Sequence, residues 1–168
     1  LGLRATARRR RRERATMERV QHSEERLKLA LWGSRDELWD LDLRSGEMRR
    51  ENLLPILAMG ADAQLGKLDQ FIQMVHDEDR AGLVQAFNDH LEGRTPFFEC
   101  TLRMPHTEGH WMALLARGIA VERAPDGRAL RMVGTTRDVT ATVAAADELR
   151  RLNDELEQRV EDRTRALK

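Results

Sequence analysis

The chain has 168 residues and as many basic as acidic side chains, enough for one domain with flanking segments. The balance hides an asymmetry: residues 1–20 hold eight arginines, Arg4, Arg8 to Arg12, Arg14 and Arg19, against Glu13 and Glu18. An acidic body behind a basic leader is not the pattern of a dedicated nucleic-acid binder, and no run reaches the roughly 18 apolar residues of a membrane span.

The first 32 residues read as a helix. Met17, Val20, Leu27 and Leu31 form a heptad-like stripe, interrupted at Glu24, and Gly33 is the expected stop. The chain begins with Leu1, so it is expected to be a piece of a longer protein. No apolar run follows the arginines, which argues against a secretory signal. Residues 37–51 read as a hairpin. Trp39, Leu41 and Leu43 alternate with Asp40 and Asp42, and Arg44-Ser45-Gly46 suits the turn. Pro55, Gly60 and Gly66 break residues 52–93 into short pieces, of which 78–92 is the clearest helix. Leu83, Val84, Phe87 and Leu91 line one side of it, Asp77, Glu78 and Asp79 stand at its positive end, and Gly93 follows as a cap.

Residues 97–139 read as three antiparallel strands, joined by turns at 106–109 and 124–127. Phe98, Cys100, Leu102 and Met104 share a face. The stretch 111–121 is apolar on both faces, which calls for something packed on the outer side of the sheet. Cys100 is the single cysteine, so no internal disulfide forms and a reducing compartment is expected. Residues 141–168 contain no Gly or Pro and read as one helix of about 42 Å. Ala146, Leu149, Asn153, Leu156, Val160 and Leu167 fit alternating a and d positions, with Arg163 the misfit. Asn153 falls at an a position, where one buried Asn favours a parallel dimer of fixed register.

Five strings in this order resemble the PAS family: Ser23-Glu24-Glu25-Arg26-Leu27, the strand Glu37 to Asp42, Val75-His76-Asp77-Glu78-Asp79-Arg80, Gly134 to Thr140, and Leu156 to Thr164. Asp77 stands where the family usually has Pro. The resemblance covers residues 23–168. It implies an α+β PAS fold, a five-stranded antiparallel sheet with helices on one face, flanked by N-terminal and C-terminal connector helices. The expected division is a basic juxtamembrane-like linker at 1–22, the PAS domain at 23–140 and a coiled-coil output helix at 141–168. The family implies a sensor that dimerises and relays a signal to an output domain. A purely structural dimerisation module and an arginine-driven lipid or nucleic-acid binder are the alternatives.

Asp138 and Thr140 stand where the last strand gives way to the final helix. As residues they suit a helix start, with the Thr140 hydroxyl accepting a backbone N–H. The resemblance adds a role in coupling the core to the output helix. Trp39, Phe71, Phe98 and Trp111 read as core and as candidate pocket lining. Leu149, Asn153, Leu156 and Val160 are the candidate dimer seam. His90, near a helix C-terminus, suits the dipole there. The resemblance would also allow an axial haem ligand, but the rest of a haem pocket is missing. Cys100 reads as core, and the chain lacks the cysteine string of flavin photoreceptors. No cofactor is named by the sequence, and haem and flavin are not expected. Consecutive His76, Asp77, Glu78 and Asp79 do not converge on one ion, and no metal site is expected.

Arg8 to Arg12 suit a solvated linker, nucleic-acid contact, or the flank of a preceding membrane helix facing anionic headgroups. The last of these fits a cytoplasmic portion of an inner-membrane protein, with nucleic acid the weaker reading. A homodimer and a small-molecule ligand are the expected partners. The chain has no P-loop, nucleophile elbow or zinc spacing and no His in its last helix, so no catalytic residues are assigned. A histidine kinase or a cyclic-di-GMP enzyme is expected beyond Lys168.

Overall fold

The computed structural model describes residues 2–52 and 65–167; the breaks expected at Pro55 and Gly60 lie outside them. Helix α1 runs from Gly2 to Ser34. It is rich in Arg, Glu, Ala and Leu, strong helix formers, and Arg9 bonds Glu13 one turn on at 2.8 Å. The helix passes through Gly33 and stops at Arg35, which takes the left-handed conformation at φ +57°. The Leu31 carbonyl near its end accepts from the Ser34 hydroxyl at 3.1 Å and the Asn52 side-chain amide at 3.1 Å, which lets the last turn continue beyond the glycine.

Strands β1 (Glu37–Asp42) and β2 (Glu47–Glu51) form the expected hairpin, with Gly46 at φ +74° in its turn. Strand β3 (Leu65–Lys67) pairs with β2, and helices α2 (Leu68–Met74) and α3 (Asp77–Leu91) follow. α3 is capped by His76, whose Nδ1 accepts the Glu78 N–H at 3.2 Å. It ends at Gly93, φ +78°, whose N–H reaches the His90 carbonyl at 3.0 Å. Strands β4 (Phe98–Pro105), β5 (Trp111–Arg123) and β6 (Ala129–Asp138) complete the sheet, and helix α4 (Thr140–Ala166) leaves it.

The sheet is antiparallel in the order β3-β2-β1-β6-β5-β4. Six strands stand where five were expected. The extra one, Leu-Gly-Lys, has no alternation to betray it and is defined by its backbone pairing with β2, and Gly66 is part of it rather than a break. One face of the sheet, with Leu41, Met132, Leu114, Met112, Leu102 and Met104 almost fully buried, packs under α2 and α3. On the other face Trp111, Ile119 and Val121 remain about half exposed, so the cover anticipated for the outer side of β5 is not supplied by the described residues. Neither α1 nor α4 carries a buried residue among those described. Among the described residues no helix is long and apolar enough to cross a membrane.

Candidate functional site

A single row of cross-strand partners, Arg50, Trp39, Gly134, Gly118 and Phe98, crosses the inner face of the sheet. The Trp39 indole lies over the two glycines, because a Cβ at either position would land on its ring. Phe98 meets Trp39 edge-on at 6.3 Å, and Phe87 from α3 meets Phe98 edge-on at 5.6 Å. Between this aromatic floor and the helices lies a cavity of about 240 Å³. Leu68, Phe71 and Ile72 of α2 and Leu83, Val84 and Phe87 of α3 roof it. Its walls are mostly apolar, as ligand pockets are, with Glu37, Thr136 and Asn88 supplying polar atoms.

The charged end is built from diagonal neighbours on the hairpin. Arg50 holds Glu37 in a bidentate pair, Nε to Oε1 at 2.6 Å and Nη2 to Oε2 at 2.7 Å. Both side chains are about 98% or more buried. A pair this deep persists because each charge answers the other; either one alone is strongly unfavourable. The guanidinium also stands 5.8 Å from the Phe71 ring centroid, linking the pair to the roof.

Of the four aromatic residues expected to line a pocket, Trp39, Phe71 and Phe98 do so. Trp111 does not. It lies 48% exposed on the outer face and packs edge-on against His76 at 4.7 Å. Strand parity decides this: Met112, Leu114 and Ala116 point inward on β5, so Trp111 points away. His90 is 97% buried, and both its ring nitrogens are engaged, Nδ1 with the Thr95 carbonyl at 2.9 Å and Nε2 accepting the Ala120 N–H at 2.9 Å. It ties α3 to β5. Cys100 is half-buried, and that burial, with Asp79 nearby, pushes its thiol pKa up. His76, Asp77, Glu78 and Asp79 are used structurally: Asp79 accepts the Arg103 backbone N–H at 2.8 Å and its Nε at 2.9 Å, and Glu78 accepts from Nη2 at 2.8 Å.

The exit of the last strand is equally specific. The Thr140 hydroxyl accepts a backbone N–H, as expected of a cap, but from Ala113 on β5 at 3.0 Å and not from its own helix. The Asp138 carboxylate takes the Thr140 N–H at 2.9 Å and hydroxyl at 2.6 Å, and the Val139 N–H reaches the Ala113 carbonyl at 2.9 Å. Beside it Arg137 grips Asp36 through two bonds of 2.7 and 2.8 Å, and the hydrogen bonds from this guanidinium hold the Asp36 carboxyl below its usual range against the opposing effect of burial. The Asn52 amide donates to the Asp36 carbonyl at 2.7 Å as well as to Leu31. The end of α1 and the start of α4 are therefore fastened at one seam. Asp36, Asn52 and Arg137 escaped sequence reading, as did Glu37 and Arg50. For Glu37 the alternation through Trp39 and Leu41 already pointed inward.

The family model of the PAS fold matches residues 51–136, the stretch that carries α2, α3, β4, β5 and most of β6. The chain belongs to the PAS family. The PAS domain is similar to a solved sensory box histidine kinase/response regulator from Burkholderia thailandensis, with 29% identity and a TM-score of 0.67 over 79% of this chain and 98% of that one. It also shares its fold with the N-terminal domain of a diguanylate cyclase with PAS/PAC sensor from Marinobacter aquaeolei, at 15% identity and TM-score 0.55, over 64% of this chain and 97% of that one. No curated protein matches the chain. As a PAS domain the chain has a sensory signalling role.

Proposed function

We propose that this PAS domain is a ligand-responsive relay, working as a homodimer in a membrane-anchored signalling protein. The observation that carries the reading is that two cavity walls are also the strands that hold α4. Ala116 on β5 and Thr136 on β6 line the cavity. A few residues along the same strands, Ala113 and Asp138 bond Thr140. A ligand that displaces Ala116, Thr136 or Trp39 moves the atoms that set the angle of α4.

Along α4, Leu149, Leu156 and Val160 are exposed in the single chain, and with Asn153 they have the spacing of a parallel coiled coil. Such a coil passes on a tilt or rotation as a discrete change of packing. Asn153 bonds Glu157 of its own helix at 3.0 Å, and in the dimer it sets the register. The signal leaves toward a kinase or cyclic-di-GMP output domain, as the kinds of protein that carry similar domains suggest. Arg8 to Arg12 lie on the cytoplasmic side of the inner membrane against anionic headgroups, where each basic side chain contributes about 1 kcal/mol. The ligand is small and mostly apolar: the walls are apolar, and a charged molecule would compete with the Glu37–Arg50 pair.

Native mass spectrometry of the purified chain, with an absorption spectrum of the same sample, tests the reading. The expected result is a dimer with extra mass on each subunit, and loss of the defined dimer in Asn153→Leu. A bare dimer would favour a dimerisation module without a ligand. A monomer would refute the coiled-coil relay.

A further inference from the structure

The turn between β4 and β5 carries three side chains of metal-ligand type within five residues, His106, Glu108 and His110. One ligand atom from each lies within 4.8 Å of the others. The hairpin itself assembles them. The His106 N–H donates to the His110 carbonyl at 2.7 Å, so the two histidines face each other across the mouth of the turn. Gly109, at φ +91°, closes the loop with its N–H on the His106 carbonyl at 2.9 Å, a conformation glycine adopts freely. The imidazoles are stacked, 4.1 Å between centroids and 19° between planes. Two rings aligned in this way offer edge nitrogens side by side, and Glu108 sits at the tip between them. Most acidic side chains around the sheet are paired with arginine, as Asp36, Asp40, Asp79 and Glu99 are. Among the described residues no cation is paired with the Glu108 carboxylate.

We propose that this turn is a binding site for a divalent transition-metal ion of the zinc class, held by one nitrogen each from His106 and His110 and by a Glu108 carboxylate oxygen. Two imidazoles and a carboxylate are the protein donor set of open zinc sites, in which water fills the remaining position. The nitrogens discriminate against calcium and magnesium, which prefer all-oxygen shells. The site has a built-in consequence for the turn. The His106 Nδ1 accepts the Glu108 N–H at 2.9 Å, so an ion taking that nitrogen displaces this bond and passes the exposed amide to water. The rearranged turn opens directly onto β5, where Ala113, three residues beyond His110, holds Thr140. Bound through that nitrogen, the ion acts on the strand that anchors α4, from outside the apolar cavity.

The test is isothermal titration of the full chain with zinc chloride, repeated with nickel chloride and with calcium chloride. One zinc or nickel ion per chain is expected, with no calcium binding. Loss of even an outer-sphere partner weakens metal sites about 10–100-fold, so His110→Ala should weaken zinc binding by at least about tenfold and Glu108→Gln should weaken it measurably. His22→Ala, on exposed α1, should leave the isotherm unchanged. The substituted turn residues are exposed or half-buried, and circular dichroism verifies that each variant is folded. In imidazole NMR spectra, zinc should shift His106 and His110 and leave His22 and His90 in place. The proposal is overturned if zinc does not bind at millimolar concentration, if His110→Ala leaves the zinc affinity unchanged, or if one ion is shared between two chains.

Discussion

The sheet between Glu37 and Asp138 and the two helices that flank it treat their apolar residues in opposite ways. In the domain, Trp39, Leu41, Leu102 and Met132 disappear beneath α2 and α3, and even a carboxylate and a guanidinium are buried together. In the connectors, Met17, Val20 and Leu27 of α1 and Leu149, Leu156 and Val160 of α4 stand in the open. Their helices are held by backbone propensity and by exposed pairs one turn apart, such as Arg159 with Glu155 at 2.8 Å. The domain specifies itself through contacts that no neighbour need supply. The connectors specify themselves only as helices. Between the two regions lies a seam of a few hydrogen bonds at Asp36, Arg137, Asp138 and Thr140. Under the proposed relay, this narrow point is where the domain acts on the helices.

The sharpest way to break the domain side of this contrast is Arg50→Ala. It takes the bidentate guanidinium away from the buried Glu37 carboxylate, and the expected cost is about 3–5 kcal/mol, read from urea unfolding. A loss below about 1 kcal/mol would mean that water or another group takes over the carboxylate.

At the seam the expected effect is smaller and depends on pH. The folded pKa of Asp36 is depressed by Arg137, so its contribution is complete above the usual carboxylate value of about 3.9 and is lost as pH falls through the lower folded value. Arg137→Ala should cost about 0.5–1 kcal/mol near neutrality, the scale of a partly exposed and screened pair. In melting curves the gap between the two proteins should stay constant well above the usual carboxylate value and close as pH falls below it. A gap that persists in acid would show that Arg137 acts through packing instead.

The smallest effect belongs to the connector. Leu156→Ser touches nothing buried in the single chain and should move the urea midpoint of a monomeric sample by less than the equivalent of about 0.5 kcal/mol. The same substitution should weaken self-association in sedimentation equilibrium. If it destabilises the domain itself, α4 is not the independent element described here.

Much of the domain was legible because its signals are local. Alternation marked β1 and β4, a two-faced apolar run marked β5, Gly46 and Gly93 marked their turns, and acidic residues marked the start of α3. Where reading failed, the deciding contacts were remote in sequence. Trp111 was grouped with the pocket because it is large and apolar, although its parity with Met112 and Leu114 places it outside. β3 exists only through its pairing with β2, and three residues carry no period. Thr140 looked like a cap for its own helix, but its partner Ala113 lies on another strand, 27 residues away. The Arg137–Asp36 bond spans 101 residues, and a single sequence offers no sign of such a pairing.

The glycine pair under Trp39 has a further consequence. Neither Gly118 nor Gly134 touches the cavity, yet together they decide how large it is, because the indole rests in the space that side chains would otherwise occupy. A methyl group at Gly118 would push the ring upward into the void and turn a hollow domain into a solid one. The volume of the cavity is thus set from the floor below by two missing side chains.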